Sequence, residues 1–137
     1  MLFRSYPEAL PLYEKARAIR TRVFGEESKE VAAILQPMAL IHQKNGSFPE
    51  ALDLLEKACA NLTKVYGEDS APLVAPYQLM WFTHEKNESF QEALQILEKL
   101  RVILTRLHGA DSREVAQITT NVTGVHQKIN EKENRSE

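Results

Sequence analysis

The sequence predicts an all-α chain built as a helical-hairpin solenoid of about six helices, and three observations predict it. One hexapeptide pattern occurs three times, as Ser5-Tyr6-Pro7-Glu8-Ala9-Leu10, Ser47-Phe48-Pro49-Glu50-Ala51-Leu52 and Ser89-Phe90-Gln91-Glu92-Ala93-Leu94, each copy 42 residues after the last. The same spacing relates Phe24-Gly25-Glu26-Glu27-Ser28, Tyr66-Gly67-Glu68-Asp69-Ser70 and His108-Gly109-Ala110-Asp111-Ser112, and also His42, His84 and His126. Between these markers apolar residues recur with a helical rather than an alternating period, as in Ala51, Leu52, Leu54, Leu55, Ala58 and Leu62. Equal spacing without insertion makes each copy one structural unit, giving a single array of residues 5–46, 47–88 and 89–130. Residues 131–137 are polar throughout and read as a fraying tail.

The helices alternate between two types. The first type follows the loop serines Ser28, Ser70 and Ser112, which are N-cap residues by kind and position. Glu30 and Glu114 then fall in the first turn, where negative charge suits the helix dipole. Gly46 ends the first copy. The second type follows Ser5, Ser47 and Ser89, each with a Glu three residues on (Glu8, Glu50, Glu92), the spacing of a reciprocal capping box. Pro7 and Pro49 lie in that first turn, where a missing N–H costs nothing. Gly67 ends the second-type helix, as a glycine in the left-handed region would. Pro11, Pro37 and Pro76 fall inside helices, where each removes a ladder bond and predicts a bend. Neither helix can hide its apolar stripe alone, and stacking hides it.

Composition narrows the function. Seventeen Lys and Arg against 19 Asp and Glu leave a net charge of −2, so there is no cationic excess for nucleic-acid phosphates to pair with. No apolar run is long enough to span a bilayer, and Met1-Leu2-Phe3-Arg4 does not open a signal peptide. The single cysteine, Cys59, cannot form an internal disulfide and suits a reducing, cytoplasmic setting. No glycine-rich phosphate loop and no activated nucleophile is recognisable. The histidine column does not suggest a metal, because ligands to one zinc lie ~2 Å from it while stacked helices stand ~8–10 Å apart. These histidines, and His108, read as packing residues in aromatic positions. Cys59, in register with Arg17 and Arg101, reads as half-exposed and unreactive. No cofactor, metal or catalytic role is expected.

The run Met38-Ala39, His42, Gly46, Phe48, Glu50-Ala51, Leu55, Ala58 resembles a tetratricopeptide repeat, lengthened from the usual ~34 residues to 42. The Gly-acidic-acidic-Ser loop and the Val-Ala pairs Val31-Ala32 and Val115-Ala116 are similar to the repeats of kinesin light chain. The resemblance implies a right-handed solenoid whose first-type helices build a concave, partner-binding wall. Carried over by register, that wall holds Gln36, Leu40, Gln43 and Lys44; then Gln78, Phe82, Glu85 and Lys86; then Thr120, Asn121 and Lys128. In the kinesin light chain type, paired asparagines on this wall hold a peptide backbone; here only Asn121 keeps that residue. The Lys44/Lys86/Lys128 column would favour an acidic partner, or would only complement helix C-termini. Trp81, where the family has a small residue, is either a groove anchor or core filler. Phe82 points to the groove.

The chain is therefore expected to be a non-catalytic adaptor or scaffold that holds a protein or peptide. The alternative is a structural segment of a longer array, or a solenoid that self-associates through its leading helix, whose face of Ala9, Tyr13 and Ala16 lacks a partner.

Overall fold

The computed structural model describes residues 6–136. Six α-helices follow one another: α1 (Tyr6–Phe24), α2 (Lys29–Lys44), α3 (Phe48–Tyr66), α4 (Val74–Lys86), α5 (Phe90–His108) and α6 (Arg113–Ser136), with one 3₁₀ turn, Ala71–Leu73, leading into α4. No strand occurs among the described residues. The second-type helices α1, α3 and α5 begin and end 42 residues apart, each 19 residues long. The fold is the expected all-α array of helical hairpins.

The chain forms two compact units that divide between Glu68 and Asp69, within the loop that precedes a first-type helix. In the first unit α2 packs against both α1 and α3; in the second α5 packs against both α4 and α6. The core of the first unit is Val31, Ala32, Leu35, Met38 and Ala39 of α2 against Ala51, Leu55 and Ala58 of α3, none more than 2% exposed. Alanines at the contact let the two backbones approach closely. The second unit repeats this with Leu73 and Thr83 against Ala93, Leu97, Leu100 and Ile103.

The loops ahead of α2 and α4 are each held by the second-type helix that follows. Asn61 of α3, 7% exposed, donates through Nδ2 to the carbonyls of Glu26 (2.9 Å) and Ser28 (3.0 Å). Lys64 of α3 pairs with Glu27. One repeat on, Arg106 of α5 donates to the Asp69 carbonyl at 3.0 Å and lies 3.6 Å from its carboxylate. Gly67 and Gly109 start these turns with φ near +95° and ψ of 166° and 154°. That is not the left-handed helical region expected from the sequence but its extended counterpart, which only glycine adopts readily; it swings the chain from helix into the extended cap residue.

Ser28 and Ser112 accept hydrogen bonds from the amides of Val31 (3.1 Å) and Val115 (3.2 Å), as N-caps should. Ser70 does not. Pro72 has no N–H, and the Leu73 amide turns to the Ser70 carbonyl (3.1 Å), closing the 3₁₀ turn. The Ser70 hydroxyl is left buried without a partner. The capping boxes are also absent: neither Ser47 nor Ser89 makes a side-chain cap bond. Their backbone amides already donate to the carbonyls of His42 and His84, both at 2.8 Å, closing the C-termini of α2 and α4 in Schellman geometry. The donor that Glu50 or Glu92 would need is used. The third box, Ser5/Glu8, lies outside the described residues. Helix α2 runs through Pro37 without interruption. The polar residues 131–136, expected as a tail, continue α6.

Two stability changes are expected. Glu88 takes the left-handed position that Gly46 fills one repeat earlier, at φ +60°. Such a conformation costs an L-residue ~1 kcal/mol or more. Glu88→Gly should stabilise the fold by ~0.5–1 kcal/mol after loss of its exposed pair with Lys132, read as a higher urea midpoint; an unchanged or lower midpoint contradicts the assignment. Asn61→Ala should destabilise by ~1–2 kcal/mol through the two carbonyls it abandons, read from the same denaturation.

Candidate protein-interaction surface

Burial on one side of a first-type helix leaves the opposite line of residues in water. On α2 this line contains Leu40, 38% exposed, and Lys44, with Gln36 half-buried. Gln43 departs from expectation: it is only 8% exposed, turned into the flank of α2 that packs in the unit. It offers little to a partner.

On α4 the same register positions carry an aromatic cluster. Phe82 is 36% exposed and Gln78 is exposed. The Trp81 indole is half-buried and donates from Nε1 to Gln78 Oε1 at 3.1 Å. It meets the Phe82 ring edge-on, centroids 6.0 Å apart and planes at 89°. The Lys86 ammonium sits 5.1 Å from the Phe82 centroid, in a cation–π position. Trp81 thus braces Phe82 from one side and Lys86 covers it from another, so the ring is held in place without a partner.

The lysine column is uneven. Lys128 of α6 lies 3.6 Å from Glu85 of α4, whose side chain is only 11% exposed. A depression of about 260 Å³ beside this pair is lined by Lys86, Lys128 and Arg135 together with Glu85, Glu88 and Glu131, so its charges match. Cationic character is concentrated at Lys44 and Lys86. On α6 the line is polar: Thr120 is exposed and bonds the Ala116 carbonyl at 3.2 Å, and half-buried Asn121 accepts from Gln117 Nε2 at 3.2 Å. Gly124 stands where Leu40 and Phe82 stand in the other copies.

The other sequence candidates fall elsewhere. His84 is buried, His42 half-buried and His126 exposed, so the column shares a register but not an environment. His108 is exposed rather than packed, 3.9 Å from Glu114, because Phe24 and Tyr66 at its position also face water (53% and 46%). Cys59 is buried, not half-exposed, at 8%: a thiol cannot reach past its neighbours to solvent as the long stem of Arg101 does. The Arg101 guanidinium is hydrogen-bonded to Glu98, which pushes its ionisation further up and keeps it a cation. Among the described residues no His, Cys, Asp and Glu cluster could hold a metal. No described helix is long and apolar enough to cross a membrane.

Paired helices repeating at a fixed step, with one exposed line on each first-type helix, define a helical-hairpin solenoid of the kind that binds other proteins. The sequence pattern of the tetratricopeptide repeat family matches residues 4–64, and the 42-residue register carries the same unit through the rest of the chain. Residues 4–64 therefore carry the tetratricopeptide repeat pattern, and the chain has the fold of kinesin light chain-like repeat structures. A crystal structure of a putative kinesin light chain with nearly identical TPR-like repeats from Podosopora anserina aligns with a TM-score of 0.76 over 89% of this chain and 58% of its own, at 23% identity. BtubC (BKLC) from P. vanneervenii aligns with a TM-score of 0.79 over 89% of this chain and 49% of its own, also at 23% identity. The chain thus spans about half the length of these structures, and at such identity the likeness speaks to the fold. No curated protein matches the sequence. Tetratricopeptide repeats are in general protein-interaction modules.

Because Phe82 is partly solvated, Phe82→Ala should cost only ~1–2 kcal/mol. Denaturation followed by Trp81 fluorescence checks this; a much larger loss would make Phe82 a core residue.

Proposed function

We propose that the chain, with repeat units 5–46, 47–88 and 89–130, is a non-catalytic, cytoplasmic adaptor that holds a peptide or extended protein segment on the exposed lines of its first-type helices. The observation that carries this reading is the Phe82 ring on α4, 36% exposed yet fixed between Trp81 and Lys86. An aromatic group held rigid before binding loses little entropy on binding, and such residues dominate interface energetics. Leu40 offers an exposed apolar group on α2. Gln36, Gln78, Thr120 and Asn121 supply hydrogen-bonding groups for a backbone. Lys44 and Lys86 favour a segment with carboxylates beside its apolar anchor, whereas Lys128 already has Glu85. Gln43 drops out of the set.

The test is selection from a displayed random-peptide library on the wild-type chain, followed by titration of the winners against Phe82→Ala/Lys86→Glu. Peptides carrying an apolar anchor and carboxylates should lose roughly tenfold or more in affinity, the effect of removing one hot spot. Equal binding by a variant with unchanged helicity rejects this face.

A second reading is self-association through α1. Two observations favour it: the helix contains no fully buried residue from Glu8 onward, and Leu12 and Ile19 are 67% and 53% exposed.

A further inference from the structure

The repeat register shows what kind of surface α1 is made to meet. In the first unit α3 packs along α2, and Leu54 and Asn61 on α3 are 8% and 7% exposed. In the second α5 packs along α4, and Ile96 and Ile103 are 8% and 0% exposed. Leu12 and Ile19 hold these positions on α1 and are largely in water. The element that accompanies such a stripe elsewhere in the chain is a first-type helix. Helix α6 is a first-type helix with an unoccupied flank: Thr119 and Thr123, in register with Leu35 and Ala39 (1% and 0% exposed), face solvent. Their hydroxyls bond carbonyls of their own helix, Val115 at 3.3 Å and Thr119 at 3.1 Å. Apolar groups can therefore dock against the threonine methyls without stranding a polar atom.

Charge makes the same match. The pairs Lys64–Glu27 and Arg106–Asp69 each join a second-type helix to the loop ahead of its neighbouring first-type helix. The remaining members of that series are Arg22, on α1, and Asp111, in the loop ahead of α6. Both are exposed.

We infer that this chain associates head to tail, α1 of one copy docking on α6 of the next as a second-type helix docks on its own first-type helix, with Arg22 of the first copy against Asp111 of the second. This specifies the self-association reading and is independent of the α4 surface. The contact joins two different faces, and in an open head-to-tail arrangement it continues from copy to copy.

The experiment is multi-angle light scattering of the 137-residue chain across a wide concentration range. The mass should rise past that of a dimer. Leu12→Asp should abolish the rise. Arg22→Glu and Asp111→Arg should each weaken association about tenfold, since each sets like charges against each other, and an equimolar mixture of the two should restore it, because both mixed contacts are again of opposite sign. Circular dichroism confirms that each variant is helical; the double variant Arg22→Glu/Asp111→Arg, in which every contact is complementary, should associate like wild type. A mass that stops at the dimer and ignores Asp111→Arg would overturn head-to-tail docking while keeping self-association through paired α1 faces. A monomer at every concentration would overturn both.

Discussion

The constraint on which the rest of this structure depends is that a second-type helix must bury its apolar stripe against first-type helices. Where both flanks are covered, as on α5 between α4 and α6, Ala93, Leu97, Leu100 and Ile103 are fully buried. On α1, with the same pattern in sequence, Ala9, Tyr13 and Ala16 are only half-buried and Leu12 and Ile19 stand in water. The repeat is thus a cooperative device: each helix stabilises its neighbour by closing one side of it, and the elements at either side of the array retain surfaces that the interior ones have lost.

The exposed face follows from the same geometry. First-type helices turn one side to the core and leave a line of residues at the opposite side free to vary, because nothing packs against them. Leu40, Phe82 and Gly124 occupy equivalent positions and present an aliphatic chain, an aromatic ring and no side chain at all. Variation at fixed geometry is how a repeat scaffold acquires a partner: the backbone presents the positions, and the residue at each one sets what is recognised. In this chain the middle copy departs furthest, with Trp81 and Phe82 side by side and a lysine over the exposed ring.

The middle copy also carries the most local strain. Pro72 removes the amide that a helical start would use, the Leu73 amide closes a 3₁₀ turn instead, and the Ser70 hydroxyl is stranded. At the other end of α4, Glu88 occupies a position suited to glycine. The helix with a poor start and a poor stop is thus also the one that bears the aromatic surface cluster.

By itself the sequence determined the repeat length, the number of helices and which residues share a register, because hydrophobic period, helix-stopping glycines and loop serines are local signals written three times over. It also placed Phe82 at the surface, since a register position has one orientation. Tertiary structure decided the rest. Gln43 and Cys59 became buried, Lys128 was matched by Glu85, and the capping boxes gave way to Schellman closures that had already claimed the serine amides. A register position fixes direction from the helix axis, but only the neighbouring helices decide whether that direction ends in water, in a carboxylate or in the core.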